Sequence, residues 1–198
     1  YKRQLYCYNG SQETLVTDAL VDEWGITRAS NAAVLLLQIY NQSEVQKVNL
    51  SEVQSYYDVQ QMVEAALYSS SEWYVLSGTT LSVVTQNDAQ NFMLSSDGTV
   101  AYFMDDVGDD GTGDLYKLAV SGDKAGSAEV YDSDVSTYAG ITLFADNRVA
   151  YFKEVQDGEK GDLYIDAQEI DYDVYCSRLT NVDGTVYYYT DWSSDRQY

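Results

Sequence analysis

Short runs of Val, Ala, Tyr and Phe alternate along this chain with polar, glycine-bearing turns, and the alternation repeats. Ala101-Tyr102-Phe103 returns as Ala150-Tyr151-Phe152, and Gly113-Asp114-Leu115-Tyr116 returns as Gly161-Asp162-Leu163-Tyr164. An Asp97-Gly98 or Asp146-Asn147 turn opens each copy, and a third, partial copy begins at Asp183-Gly184 and runs into Tyr187-Tyr188-Tyr189. Asp-Gly and Asp-Asn accept positive φ and suit tight antiparallel turns, while Val, Tyr and Phe fit a pleated surface. Each unit therefore reads as a meander of about four short strands, the period of a propeller blade. A single meander cannot bury its apolar face, so the units must stack. Two unrelated hairpins would not keep the spacing of both motifs to within a single residue while the loop between them varies.

The remaining segments fit the same scheme. Residues 4–17 read as a hairpin, with Leu5-Tyr6, the turn signal Asn9-Gly10 and the return Thr14-Leu15-Val16. Ala33 to Tyr40 is apolar without alternation, a pattern that a fully buried strand and a buried helix share; the short polar turns that flank it and its place in the repeat order favour the strand. Residues 45–50 alternate as a strand. The period then changes: Val59, Met62, Val63, Ala66 and Leu67 recur at three- and four-residue steps. With Ser51 and Gln54 as a capping box, this predicts an amphipathic helix over about 51–69, inserted in the first blade and packed on it. Strands resume at Trp73–Leu76, Leu81–Val84 and Phe92–Leu94, with Ser77-Gly78 as a turn. The expected architecture is mostly β: one domain over residues 1–198, a small β-propeller-like array of about four antiparallel blades with one inserted helix.

The chain ends complement each other. The last blade offers strands near Val174–Thr180 and Val186–Asp191 but no Leu-Tyr strand, and the N-terminus begins with one. Joining them in a shared blade removes two exposed sheet edges; a piece cut from a longer propeller would carry the same half-blades. In the shared blade Cys7 and Cys176 lie two strands apart, roughly 10 Å, beyond the Cα separation of about 7 Å that a disulfide spans. Two free thiols are expected.

Composition narrows the chemistry. The chain has 198 residues, 32 acidic against 11 basic, a net charge of −21 and no histidine. Length suffices for a substantial core. The charge repels nucleic acid and anionic membrane, and the lack of histidine excludes Ser-His-Asp and Cys-His catalysis and histidine-bound zinc or haem. No stretch has the length of a membrane span. Tyr1 in place of methionine fits either a piece cut from a longer chain or a processed form, and both are compatible with a targeting segment that is no longer attached.

The segments Ser96-Asp97-Gly98-Thr99-Val100-Ala101-Tyr102-Phe103 and Gly113-Asp114-Leu115-Tyr116 resemble TolB-like β-propeller repeats. More closely, the chain is similar to extracytoplasmic propeller-like domains of membrane-anchored surface proteins in Gram-positive bacteria. In those, an Asp-Gly turn and aromatic strand, an acidic Gly-rich loop and a Gly-x-Leu-Tyr strand recur. The resemblance covers residues 72–198 best and 1–71 loosely. It implies an outward-facing domain tethered to a membrane by a segment outside this chain, and it carries no catalytic residues to transfer.

Candidate chemistry is sparse. The loop from Asp105 to Asp114 offers Asp106, Asp109, Asp110 and Asp114 as oxygen ligands for calcium. An EF-hand spacing fails, because the twelfth position counted from Asp106 is Lys117; a solvated hairpin loop is the competing reading. Paired carboxylates for glycan hydrolysis have their best placed members in Glu72, beside Trp73, and Asp191, beside Trp192. Tyr56, Tyr57 and Tyr198 are candidates for an aromatic platform for sugar or peptide. Repeats without a nucleophile, base, cofactor or metal constellation point to a binding or sensory module for a glycan or peptide. A carboxylate-dependent glycan hydrolase and a structural spacer are the alternatives.

Overall fold

The structure is a computed structural model that describes residues 4–28, 34–40, 55, 57, 61–62, 71–85, 89–122 and 124–191. The mostly-β expectation holds: the described chain is a succession of antiparallel strands. It opens with a hairpin, β1 (Leu5–Tyr8) and β2 (Glu13–Thr17). Asn9 closes its turn, its Oδ1 accepting the backbone N–H groups of Ser11 and Gln12 at 3.1 and 3.0 Å. The first meander is β3 (Leu20–Arg28), β4 (Val34–Tyr40), β5 (Ser71–Ser77) and β6 (Thr80–Thr85), paired in that order. The second comprises β7 (Gln90–Leu94), β8 (Val100–Asp105), β9 (Thr112–Ser121), β10 (Lys124–Ala125) and β11 (Glu129–Ser136). Its outer edge is divided: β10 pairs the end of β9 and β11 pairs its beginning. The third is β12 (Thr142–Leu143), β13 (Val149–Gln156), β14 (Lys160–Ile165) and β15 (Gln168–Tyr175). A closing hairpin follows, β16 (Thr180–Val182) and β17 (Thr185–Tyr187).

The repeated motifs occupy equivalent places. Ala101-Tyr102-Phe103 lies on β8 and Ala150-Tyr151-Phe152 on β13, each the second strand of its meander. Gly113–Tyr116 and Gly161–Tyr164 lie on the third strands, β9 and β14. The sheets are layered in chain order, and alternate residues of one strand serve different interfaces. Ala101 and Phe103 join Leu36, Trp73 and Val75 between the first and second meanders. Their neighbours Tyr102 and Met104 join Val149 and Tyr151 between the second and third. Ala150 and Phe152 then meet Val186 and Tyr188 of the closing segment, while Leu37, Ile39 and Leu76 meet Leu5 and Val16 of the opening hairpin. Both faces of the inner strands are thus buried. This is why β4, β8 and β13 read as continuous apolar runs instead of alternating ones.

Gly113 and Gly161 are fixed by close backbone approach. A Cβ on Gly161 would stand 2.7 Å from the Lys153 carbonyl oxygen, and one on Gly113 would stand 2.8 Å from that of Asp105. Backbone cannot yield as a flexible side chain can. Gly161→Ala is therefore expected to lower stability by about 1–3 kcal/mol, read as a lowered urea midpoint with an unchanged m-value.

The turns that open the copies are bonded to one another. Asp97 Oδ1 accepts Ser95 Oγ at 2.7 Å and Thr99 N at 3.0 Å, while its Oδ2 accepts Asn147 Nδ2 from the next copy at 3.1 Å. Arg148 pairs with Asp146 and donates from Nη2 to the Gly184 carbonyl of the third copy at 2.6 Å. The Ser95 and Thr99 hydroxyls, with the Thr99 and Asn147 N–H groups, hold the Asp97 carboxyl down to about 2. A depressed carboxylate pKa contributes stability above its unfolded value, near 3.9, and loses it as pH falls toward the folded one. Acid unfolding is accordingly expected to steepen between about pH 4 and 2, and Asp97→Asn to flatten that part of the curve in a urea series across pH.

Two expected strands are modified. The expected strand near Val174–Thr180 is divided: Val174 ends β15, residues 176–177 turn, and β16 begins at Thr180. The turn is set by backbone bonds, Cys176 N donating to Glu159 O at 2.9 Å and Arg178 N to Tyr175 O at 3.1 Å. The expected strand through Asp191 ends at Tyr187, after which the chain lies along the free edge of β15. There Tyr175 N donates to Tyr189 O at 2.9 Å and Thr190 bridges Val174. Among the described residues β1 pairs with β2 and β17 with β16, and no ladder joins the two hairpins. The helix expected over 51–69 and the strand over 45–50 lie almost wholly outside the described residues. Tyr57, Gln61 and Met62 are in helical conformation, with Gln61 Nε2 donating to Tyr57 Oη at 2.8 Å.

Candidate functional site

The return of the chain to β15 builds a concave site. The β14–β15 sheet presents Tyr175 at the end of its last strand, and the turn between β13 and β14 presents Gly158 and Glu159. The turn after β15 presents Ser177 and Arg178, and the strand-like return presents Tyr189. Among the described residues these six line an open cavity of about 600 Å³, within the range of small-ligand sites.

Its aromatic wall is held in place. Tyr175 Oη donates to Asp191 Oδ1 at 2.8 Å, and Lys160 Nζ, ion-paired with Asp191, sits 4.5 Å from the centre of the Tyr175 ring. Hydrogen bonding to the Asp191 carboxylate, and then to the Tyr175 side chain, raises the Lys160 pKa, so its ammonium stays charged. Tyr189 is anchored through its carbonyl while the residue as a whole is 66% exposed. Glu159 and Arg178 are both exposed. Arg148, Lys153 and Lys160 each have a carboxylate partner. Among the described residues the Arg178 and Glu159 side chains have none, and no ion pair joins the two to each other.

The sites expected from sequence are distributed differently. Asp106 accepts Tyr116 Oη at 2.7 Å, and Asp110 accepts Thr112 N and Oγ1, each at 3.0 Å. The Thr112 bonds lower the Asp110 pKa, and the Asp106 bond pushes the Tyr116 hydroxyl up to about 12. Asp114 faces Asp105 across the β8–β9 ladder, and Asp109 lies in the exposed turn. No three acidic or cysteine side chains converge as metal ligands among the described residues. Tyr57 is 64% exposed; Tyr56 and Tyr198 lie outside the described residues. Glu72 accepts the Tyr74 hydroxyl, while Asp191 braces the cavity wall. Both cysteines are free. Cys7 lies on β1, but Cys176 lies in the turn after β15, so the strand order expected for the pair does not apply. Burial raises the Cys176 thiol pKa.

Sequence reading singled out Asp191 but not Glu159, Tyr175, Arg178 or Tyr189. The signal was faint: Arg178 is one of only 11 basic residues, and it follows a tyrosine by a single turn.

Compared with protein-family models and with curated proteins, the chain matches none. What the fold defines is its class, a layered series of antiparallel meanders. No helix among the described residues is long and apolar enough to cross a membrane, which leaves strand-built spans unaddressed.

Proposed function

We propose that this domain is a non-enzymatic, extracytoplasmic binding or sensory module that takes a glycan or peptide. The observation that carries the reading is the cavity at Tyr175 and Tyr189, with exposed aromatic surface beside two charged side chains that have no ion-pair partner among the described residues. A spacer has no need of such a site. Hydrolysis of a glycosidic bond uses two carboxyl groups flanking the bond, and Glu159 is the one carboxylate among the described lining residues.

The layered meanders support a propeller-like arrangement, in which each meander is a blade packed on the next. In this reading the opening and closing hairpins are half-blades that complete each other, and the segment 51–69 is a helix packed on the first blade. The exposed Tyr6, Tyr8 and Leu15 at one end and Val182 and Tyr187 at the other are the surfaces such closure would cover. The similarity to Gram-positive surface domains supports an outward-facing setting, tethered by a segment outside this chain. The net charge of −21 argues against nucleic acid as a partner.

A glycan and peptide array probed with the purified domain, with and without calcium, tests the binding reading. Retention of a ligand class, diminished by Tyr175→Ala, is the expected result. Release of shortened glycan products would support the hydrolase instead, and an array with no retained ligand would leave the spacer.

A further inference from the structure

We propose that the cavity takes a short peptide by its two charged ends, Arg178 receiving the terminal carboxylate and Glu159 the terminal ammonium. The inference rests on the binding reading above and names its ligand. It starts from two opposite charges on one cavity that have no ion-pair partner among the described residues. Lys160 is nearby, but Asp191 already neutralises it. What remains for a ligand is one guanidinium, able to grip a carboxylate with two parallel N–H bonds, and one carboxylate, able to accept from an ammonium.

The aromatic wall fits the same ligand. With its hydroxyl tied to Asp191 and one ring face taken by Lys160, Tyr175 loses little freedom on binding. The exposed Tyr189 adds apolar contact for a small side chain, and Ser177, also on the lining, offers a hydroxyl as donor or acceptor for a peptide group.

Net charge decides between peptide and acidic saccharide. A uronate brings a carboxylate for Arg178 but no ammonium for Glu159, and it approaches a protein of charge −21 as a like charge. A peptide with both ends free is neutral overall, so it meets no long-range repulsion and answers both side chains.

The test is calorimetric titration of the whole chain with alanine peptides from the free amino acid to the pentapeptide. The best binder is then compared with its N-acetylated and C-amidated forms and with an oligouronate. Blocking either end is expected to weaken binding about tenfold to a hundredfold. Arg178→Gln should become insensitive to amidation, and Glu159→Gln to acetylation. Both side chains are exposed, so thermal midpoints should hold, and a matched end-by-variant pattern would not arise from a purely structural role. Equal binding of the doubly blocked peptide overturns the inference and leaves the cavity as a peptide site of another kind. Arg178-dependent binding of the oligouronate without any peptide binding overturns it while the binding reading stands. No heat with any probe, joined to an empty array, overturns both.

Discussion

Phe103→Ala is expected to be among the most damaging single substitutions in this chain, lowering unfolding free energy by about 3–5 kcal/mol. Phe103 is 2% exposed and sits inside a run of stacked rings. Trp73 and Phe92 have centroids 4.2 Å apart, Phe92 and Phe103 4.6 Å, and Phe103 and Tyr116 5.3 Å. The run crosses the interface between the first and second meanders, with Trp73 tied by its indole N–H to the Ala89 carbonyl at 3.2 Å. Truncation opens a cavity that rigid strands on either side cannot close. A domain of this size has only about 5–15 kcal/mol in hand, so the loss is a large share of the whole. Urea unfolding followed by tyrosine and tryptophan fluorescence should show the midpoint drop. Phe103→Leu should recover about half or more of the loss, because it refills most of the volume. An Ala variant within about 1 kcal/mol of the parent would mean that the interface does not contribute as described.

The second large effect is expected at Asp132. This carboxylate accepts the Tyr151 hydroxyl at 2.5 Å and the Lys153 ammonium at 2.7 Å, joining β11 of the second meander to β13 of the third. The Lys153 and Asp132 side chains retain 19% and 21% of their exposure. Burial works against ionisation of Asp132, but the Lys153 and Tyr151 bonds outweigh it and lower its pKa. Tyr151 is fully buried. Burial first, and then the Asp132 bond and charge, push its pKa far above the usual tyrosine value. Asp132→Ala leaves a mostly buried ammonium and a buried hydroxyl without their acceptor, at a cost of about 2–3 kcal/mol.

The same cluster sets an alkaline limit. Burial also raises Tyr131 to about 12. A phenol whose folded pKa is raised contributes stability that is intact below the unfolded value, near 10, and is lost as pH climbs beyond it. Tyrosinate absorbance should therefore show a late group of phenols, Tyr131 and Tyr151 among them, that ionises only together with loss of the fold. Asp132→Asn should bring that later step to lower pH. A single titration step, with all tyrosines ionising while the fold persists, would contradict the burial of Tyr131 and Tyr151.

Much of this architecture was legible in the chain. The Ala-Tyr-Phe and Gly-x-Leu-Tyr motifs mark second and third strands because an inner strand with two buried faces must be apolar at odd and even positions alike. Asn9-Gly10, Gly78 and the Asp-Gly and Asp-Asn turns mark reversals because few residues accept a left-handed backbone. The candidate site was nearly illegible. Glu159 and Arg178 are ordinary surface residues in sequence, and Tyr175 and Tyr189 resemble the other strand tyrosines.

By itself, then, the sequence determined the class of fold, the strand order within each meander and the excess of negative charge. These follow from local rules: side-chain period, turn chemistry and counts of ionisable groups. Only the tertiary structure decided that the chain turns at Cys176 and runs back along β15. That path depends on backbone hydrogen bonds between distant segments, from Cys176 to Glu159 and from Tyr175 to Tyr189. Backbone groups are the same in every residue, so such pairings leave almost no mark on the sequence, and the cavity they create leaves none.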